Sequence, residues 1–244
     1  MSVSLRARQT VLLVGPLARI VPWVPAVTAA ALALLALLPA VLGAPAPDTQ
    51  VWGLRIAAVL LGAGASFAMV DMMIPLTVTP TPRWLRQWLR FVIALAPAAG
   101  FWWGLCLLAA ASMPGDGPGG VALALPVADL AVEAAVCGLV GVAGAAVAAR
   151  SGHNRTTGLA GAAIQALLLA MSLVLSGGWS PWQLPPAGTW DQVHRYWSMA
   201  LLVCAAVLLA ANRDEWPPTL RRAGGPPGPP AGRASPPAGS GPAL

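Results

Sequence analysis

Six stretches of apolar residues, separated by short polar or proline-containing segments, dominate the pattern along this chain. Each stretch is close to the ~20 residues that a helix needs to cross about 30 Å of hydrocarbon. They cover residues 24–43, 51–71, 91–112, 127–149, 158–176 and 193–212. We therefore predict an all-α fold, a polytopic integral membrane protein built as a bundle of six transmembrane helices.

The two ends of the chain differ from this central domain, which we place at 24–216. Residues 1–23 carry three arginines and only a short apolar patch, which predicts a cytoplasmic lead-in or an interfacial helix. The first apolar stretch is longer than the 7–15 residues of a signal-peptide core, so we expect it to be retained. Residues 217–244 consist mainly of Pro, Gly and Ala, a composition that predicts a disordered cytoplasmic tail.

Composition supports the membrane assignment and excludes several functions. Hydrophobic residues make up 57% of the 244 residues and charged residues 9%, against roughly 25% charged in a typical soluble domain. The net charge of +6 comes from arginines spread over short segments, so it does not predict nucleic-acid binding. The chain has no lysine, which excludes a Walker A lysine, a Schiff base and a Ser-Lys dyad.

The residue types that perform chemistry are sparse. The chain has two histidines without a metal-ligand neighbourhood, no nucleophile motif and no dinucleotide-binding glycine pattern. Its three cysteines lie inside apolar runs, without the spacing of a metal site or a disulfide framework. We predict no catalytic residues, no metal, no cofactor and no enzyme activity. The chemical content is limited to charges at membrane depth.

Arginine placement predicts the orientation. If the N-terminus is cytoplasmic, twelve arginines lie in cytoplasmic segments and only Arg55 and Arg195 on the other side. Because cytoplasmic loops carry an excess of basic residues, we expect a multi-pass protein of the bacterial plasma membrane with both termini cytoplasmic.

The longest internal cytoplasmic segment in this orientation is 71–90, DMMIPLTVTPTPRWLRQWLR. Thr81 and Pro82 are typical of a helix N-cap and first helical position. Helical spacing then places arginines on one face and tryptophans and leucines on the other, which predicts a basic amphipathic turn at the membrane surface. The alternative is a plain charged loop that only sets topology. The candidate functional residues here are Asp71, Ile74, Thr81, Pro82, Arg83, Trp84, Arg86 and Trp88.

A second candidate group consists of charges inside predicted spans. Asp129 and Glu133 share one face of the fourth span, and Arg55 lies at similar depth in the second. An unpaired carboxylate in hydrocarbon costs several kcal/mol. Two interpretations stay open: Arg55 pairs with Asp129 or Glu133 and ties two helices together, or the carboxylates form a substrate or proton site. Gln165 in the fifth span is expected to hydrogen-bond between helices.

Three segments carry a resemblance to a known group of proteins. They are SFAMVDMMIPLTVTPTPRWLRQWLR (66–90), LPVADLAVEAA (125–135) and WDQVHRYWSMALL with a closing ANRDEWPP (190–218). Together they resemble small six-span membrane proteins of high-GC Gram-positive bacteria that are described as ABC-transporter permease components. The chain departs from that pattern at Met72, where a second acidic residue is expected.

The resemblance implies a function and partners. The expected function is the membrane-spanning subunit of an ATP-driven transporter, with the ATPase on a separate chain and the 71–90 loop as the coupling element. Beyond the lipid bilayer, the implied partners are that ATPase and a second permease in a homodimer or heterodimer. The alternative is a non-transporting accessory or immunity membrane protein.

Overall fold

The computed structural model describes residues 12, 14–43, 46–70, 83–112, 125–150, 156–175, 180–185 and 187–213. Within these ranges the chain forms helices and no strand, and six helices are long and apolar enough to span a membrane. The predicted all-α, six-helix membrane protein is thereby confirmed. The helices are α1 (Trp23–Leu42), α2 (Pro47–Ser66), α3 (Arg83–Ser112), α4 (Val127–Arg150), α5 (Thr157–Val174) and α6 (Trp190–Ala211).

Two helices begin well before the spans expected from hydropathy. α2 begins at Pro47, since proline is well suited to the first turn of a helix, and it ends in a 3₁₀ turn at Phe67–Met69. α3 begins at Arg83 and runs without interruption to Ser112. The amphipathic turn and the third span are therefore one helix of 30 residues, in spite of Pro97 in its interior.

Contacts between helix ends show that α2, α4 and α6 run in one direction and α1, α3 and α5 in the other. Glu133 near the start of α4 contacts His194 near the start of α6, and Arg150 at the end of α4 contacts Ala211 at the end of α6. In contrast, the indole of Trp102, late in α3, donates to the carbonyl of Leu54, early in α2. The alternation follows from six consecutive spans with short connections.

α2 and α4 form the centre of the bundle. In their most apolar stretches 67% and 61% of the residues are buried within the chain, against 17–22% for the other four helices. The outer helices instead expose large apolar side chains, for example Leu35, Leu167 and Leu202. In a bilayer these side chains face lipid, which is as apolar as they are.

Glycines let the backbones of α2, α4 and α5 approach closely. A Cβ atom on Gly62 would lie 2.5 Å from the carbonyl oxygen of Cys137, and one on Gly161 would overlap the carbonyl oxygen of Gly141. Gln165 crosses the same region, its Nε2 donating to the carbonyl of Val59 at 2.8 Å. Its predicted interhelical hydrogen bond is confirmed, and small residues with such bonds are the usual basis of helix association in membranes.

The predicted lead-in, the segment 71–82 and the predicted tail differ in how much of each the structure describes. In the lead-in, residues 14–20 are helical, and the indole of Trp23 donates to the carbonyl of Ala18 at 2.7 Å. Residues 71–82, with Asp71, Ile74, Thr81 and Pro82, lie outside the described residues, as do the predicted tail residues 217–244.

Candidate functional site

The core of the site is an ion pair between the two central helices. Arg55 of α2 meets Glu133 of α4 in a bidentate arrangement, with Nε 2.6 Å from Oε2 and Nη2 2.7 Å from Oε1. Each side chain is only 2% exposed. Two parallel charge-assisted hydrogen bonds are among the strongest that side chains form, and they fix the relative depth of α2 and α4. The sequence left Asp129 and Glu133 open as partners of Arg55, and in the structure the partner is Glu133.

The chain between α5 and α6 supplies further acceptors for the same guanidinium. Arg55 Nη1 lies 3.3 Å from the carbonyl oxygen of Trp182, and Nη2 lies 2.7 Å from that of Gln183. Trp182 is held in turn by Ser172 of α5, to whose Oγ its indole donates at 2.8 Å. The indole of Trp197 in α6 donates to the carbonyl of Pro181 at 3.0 Å. The segment 180–185 is thus fixed over the ion pair.

A histidine on α6 completes the cluster. His194 Nε2 lies 3.0 Å from Glu133 Oε1, and Nδ1 lies 3.0 Å from the carbonyl oxygen of Trp190, one helical turn earlier. The side chain is buried. The sequence did not indicate His194 as part of a site, because its partner Glu133 is on another helix, 61 positions away. The available signal was an ionisable side chain near the start of a span, since such residues usually face the interior of the bundle.

Asp129 belongs to the cluster indirectly. Its Oδ2 accepts a hydrogen bond of 2.8 Å from the indole of Trp190, and it forms no ion pair with Arg55. The ring of Trp190 also stacks on His194, with 4.1 Å between ring centroids. Trp190 therefore connects the carboxylate of Asp129 to the imidazole of His194. The site consists of Arg55, Asp129, Glu133 and His194, which we call the charge cluster.

Three tryptophan rings pack around the guanidinium of Arg55 in the charge cluster. The Arg55 guanidinium lies 5.5, 5.6 and 6.0 Å from the rings of Trp52, Trp182 and Trp190, within the range of cation–π attraction. Among the described residues, the space beside the ion pair leaves no room for a water molecule. Electrostatic interactions are strong in such a low-dielectric environment, and an unpaired charge is correspondingly costly.

The basic turn at the start of α3 lies at the opposite end of the bundle. Arg90 is buried, and its Nη1 donates to the carbonyl of Val70, beyond the end of α2, at 2.9 Å. Gln87 is also buried, because this part of α3 packs against the chain itself. Arg86 is half-buried, and the Arg83 side chain lies outside the part that the structure describes.

The two tryptophans of this turn differ in their surroundings. Trp84 is 45% exposed, as a residue at a membrane surface would be. Trp88 is half-buried and makes an edge-to-face contact with Phe91, with 5.2 Å between ring centroids. The structure therefore does not bring the two candidate groups together, since residues 83–90 and the charge cluster are at opposite ends.

Comparisons of the chain with protein-family models, with curated proteins and with solved structures find no match.

Proposed function

We propose that this protein is the membrane-spanning subunit of an ATP-driven transporter of the ABC type, with the ATPase on a separate chain. The proposal includes a location in the bacterial plasma membrane with both termini cytoplasmic. It also includes pairing with a second permease subunit, a homodimer or a heterodimer. The proposed contact with the ATPase is the segment 71–90.

The observation that carries the proposal is the length of α3. Its 30 residues correspond to about 45 Å at 1.5 Å per residue, whereas the hydrocarbon is about 30 Å thick. Roughly ten residues at its start therefore exceed what the span requires. A force applied to this extension passes along one continuous helix into the bundle.

A tether between α3 and the end of α2 supports the same role. The hydrogen bond from Arg90 to the carbonyl of Val70 joins the start of α3 to the residue that follows the 3₁₀ turn of α2. A displacement applied at this joint reaches two helices at once, and one of them is the central helix α2. Arg90 in this view is a positioning residue, and the docking surface lies among residues 71–86.

The test is co-purification with an ABC ATPase, which the proposal expects in an adjacent reading frame. The variants are Arg83→Glu/Arg86→Glu and Ile74→Asp, with Arg195→Glu as the control because Arg195 is an exposed arginine of α6, at the opposite end of the bundle. Single exposed ion pairs contribute about 0–1 kcal/mol, so we expect the Ile74 variant to lose more ATPase than the double arginine variant. The control variant Arg195→Glu should co-purify with the ATPase as the wild type does.

Full ATPase binding by both variants, correctly inserted, would refute the coupling role of the loop. A non-transporting accessory or immunity protein is the second candidate, and one observation favours it: the ion pair of Arg55 and Glu133 is only 2% exposed, and its polar atoms are held by hydrogen bonds within the chain. That candidate predicts no co-purifying ATPase and no change in ATP hydrolysis when the two chains are mixed.

A further inference from the structure

The two hydrogen bonds of His194 need two hydrogens, whereas a neutral imidazole beside an ionised carboxylate has only one. A backbone carbonyl only accepts, so Nδ1, 3.0 Å from the oxygen of Trp190, carries a hydrogen. The carboxylate of Glu133 also only accepts, so Nε2 carries a second hydrogen unless the carboxyl group itself is protonated. In either case one proton lies between Nε2 and Oε1.

The surroundings place this proton on the imidazole. Arg55 donates to both oxygens of Glu133, at 2.6 and 2.7 Å, an arrangement that favours the ionised carboxylate. The ring of His194 stacks on Trp190 with 4.1 Å between centroids, and an indole face attracts a cation. The hydrogen bond is therefore Nε2–H donating to Oε1.

The charge balance agrees with this assignment. With ionised carboxylates, Arg55 contributes one positive charge and Glu133 and Asp129 contribute two negative charges. A protonated His194 makes the sum zero. Neutrality matters here because both ion-pair side chains are only 2% exposed, and a net charge buried among apolar helices is costly.

We propose that Glu133 and His194 form a proton-binding site, which holds one exchangeable proton and fastens the start of α6 to α4 when it is occupied. The proposal rests on the hydrogen bonds of the charge cluster and is independent of the proposed ATPase. On release the proton leaves Nε2 for the water at that end of the bundle, since His194 lies only four residues, about 6 Å, into α6.

Among the residues that the structure describes, few other ionisable groups can affect this site. Asp48 of α2 and three residues of α6, Asp191, Arg195 and Tyr196, are exposed at the same end. Arg86 and Arg90 of α3 and Arg150 of α4 lie near the opposite end, and Cys106, Cys137 and Cys204 are free cysteines within spans. In their described parts, α1, α5 and the segment 180–185 contribute no charged side chain.

Release of the proton from His194 changes the contact between α6 and α4. Without its extra proton, His194 either faces Glu133 Oε1 with a lone pair at 3.0 Å or abandons the carbonyl of Trp190. Both alternatives leave a buried polar group without its partner, which weakens the contact between α6 and α4. Trp190 would loosen with it, and through its indole also Asp129.

The sequence allows the proton to be observed directly, because the chain has two histidines, His153 and His194, and two glutamates, Glu133 and Glu215. The full-length protein with His153→Gln and Glu215→Gln is labelled with ¹⁵N-histidine and ¹³C-glutamate in lipid nanodiscs. Magnetic-resonance spectra are then recorded from about pH 5 to 8, the range in which histidine side chains commonly change charge. Each label reports on one residue of the site.

We expect both ring nitrogens of His194 to be protonated at low pH, with an ionised Glu133, and one proton to be lost in a single step as the pH rises. A neutral Nδ1–H imidazole beside a protonated Glu133 that titrates would also support the site, with the proton on Oε1. A neutral imidazole beside an ionised carboxylate at every pH would overturn the proposal. So would an imidazolium that stays charged over the whole range, since its proton is not exchangeable.

A matched variant tests the coupling to stability. In Glu133→Gln the side-chain oxygen can still accept from Arg55, but the carboxylate that shares the proton with His194 Nε2 is removed. We expect the wild-type melting temperature to depend on pH through this shared proton, and this dependence to be absent in Glu133→Gln. His194→Gln should abolish it as well. An unchanged pH dependence in either folded variant would contradict the coupling.

Discussion

Replacing Glu133 with leucine should destabilise the protein more than removing the whole ion pair. In Glu133→Leu the Arg55 guanidinium keeps only the carbonyls of Trp182 and Gln183, and His194 loses the acceptor of its Nε2. Breaking a buried ion pair from one side costs about 3–5 kcal/mol, because it leaves an uncompensated charge. The double variant Arg55→Leu/Glu133→Leu removes that charge.

The stability difference between Glu133→Leu and the double variant can be estimated from the contacts that each variant keeps. In the double variant two carbonyls lose a donor, and hydrogen bonds of this kind contribute about 0.5–1.5 kcal/mol each, or up to about 3 kcal/mol when the donor is charged. Leucine side chains recover part of this by apolar packing. We therefore expect the double variant to be about 1–3 kcal/mol more stable than Glu133→Leu. Arg55→Leu should lie between them, since Glu133 keeps His194 as a partner.

The assay is thermal unfolding in detergent micelles or nanodiscs, followed by the loss of helical circular dichroism. For a chain of this size each kcal/mol corresponds to about 2–4 °C. Arg195→Leu is the control, because it removes an exposed arginine at the same end of the bundle. If the two single costs simply add in the double variant, Arg55 and Glu133 do not interact energetically, and the account of the ion pair is wrong.

Three further predictions concern packing, the tryptophan and topology. Gly62→Ala should lower the melting temperature, because its Cβ would lie 2.5 Å from the carbonyl oxygen of Cys137, whereas Gly100→Ala has open space and should not; equal shifts would contradict the close helix packing. Trp190→Phe keeps a ring on His194 but loses the indole donor to Asp129, and we expect a cost of about 1.5–3 kcal/mol in denaturant unfolding; no loss would mean that the bond contributes nothing. Reporter fusions should show cytoplasmic activity at Thr79 and Gly224 and extracytoplasmic activity at Gly115 and Gly188; a cytoplasmic signal at Gly115 would overturn the six-span topology.

The sequence by itself determined the class of the protein and the number of spans. Long apolar stretches must become helices in a bilayer, because every backbone polar group has to find its partner within the segment. Hydropathy alone placed the starts of α2 and α3 too late in the chain. Polar residues such as Asp48 and Arg86 lower the hydropathy of a segment, although they continue the helix beyond its apolar stretch.

The sequence also indicated that Arg55 needs a partner, because a lone charge in hydrocarbon is costly. It could not choose between Asp129 and Glu133, which share one helical face. The depth at which α2 and α4 pack against each other makes Glu133 the partner of Arg55. Asp129 instead accepts a hydrogen bond from the indole of Trp190.

Only the tertiary structure brought His194 to Glu133. The two residues are 61 positions apart and on different helices, so no local spacing connects them. Their meeting depends on the parallel packing of α4 and α6, and the glycines of α2, α4 and α5 determine how closely the central helices approach. Hydropathy places a helix in the membrane, but side-chain shape and hydrogen bonding between helices decide which of its faces meets which neighbour.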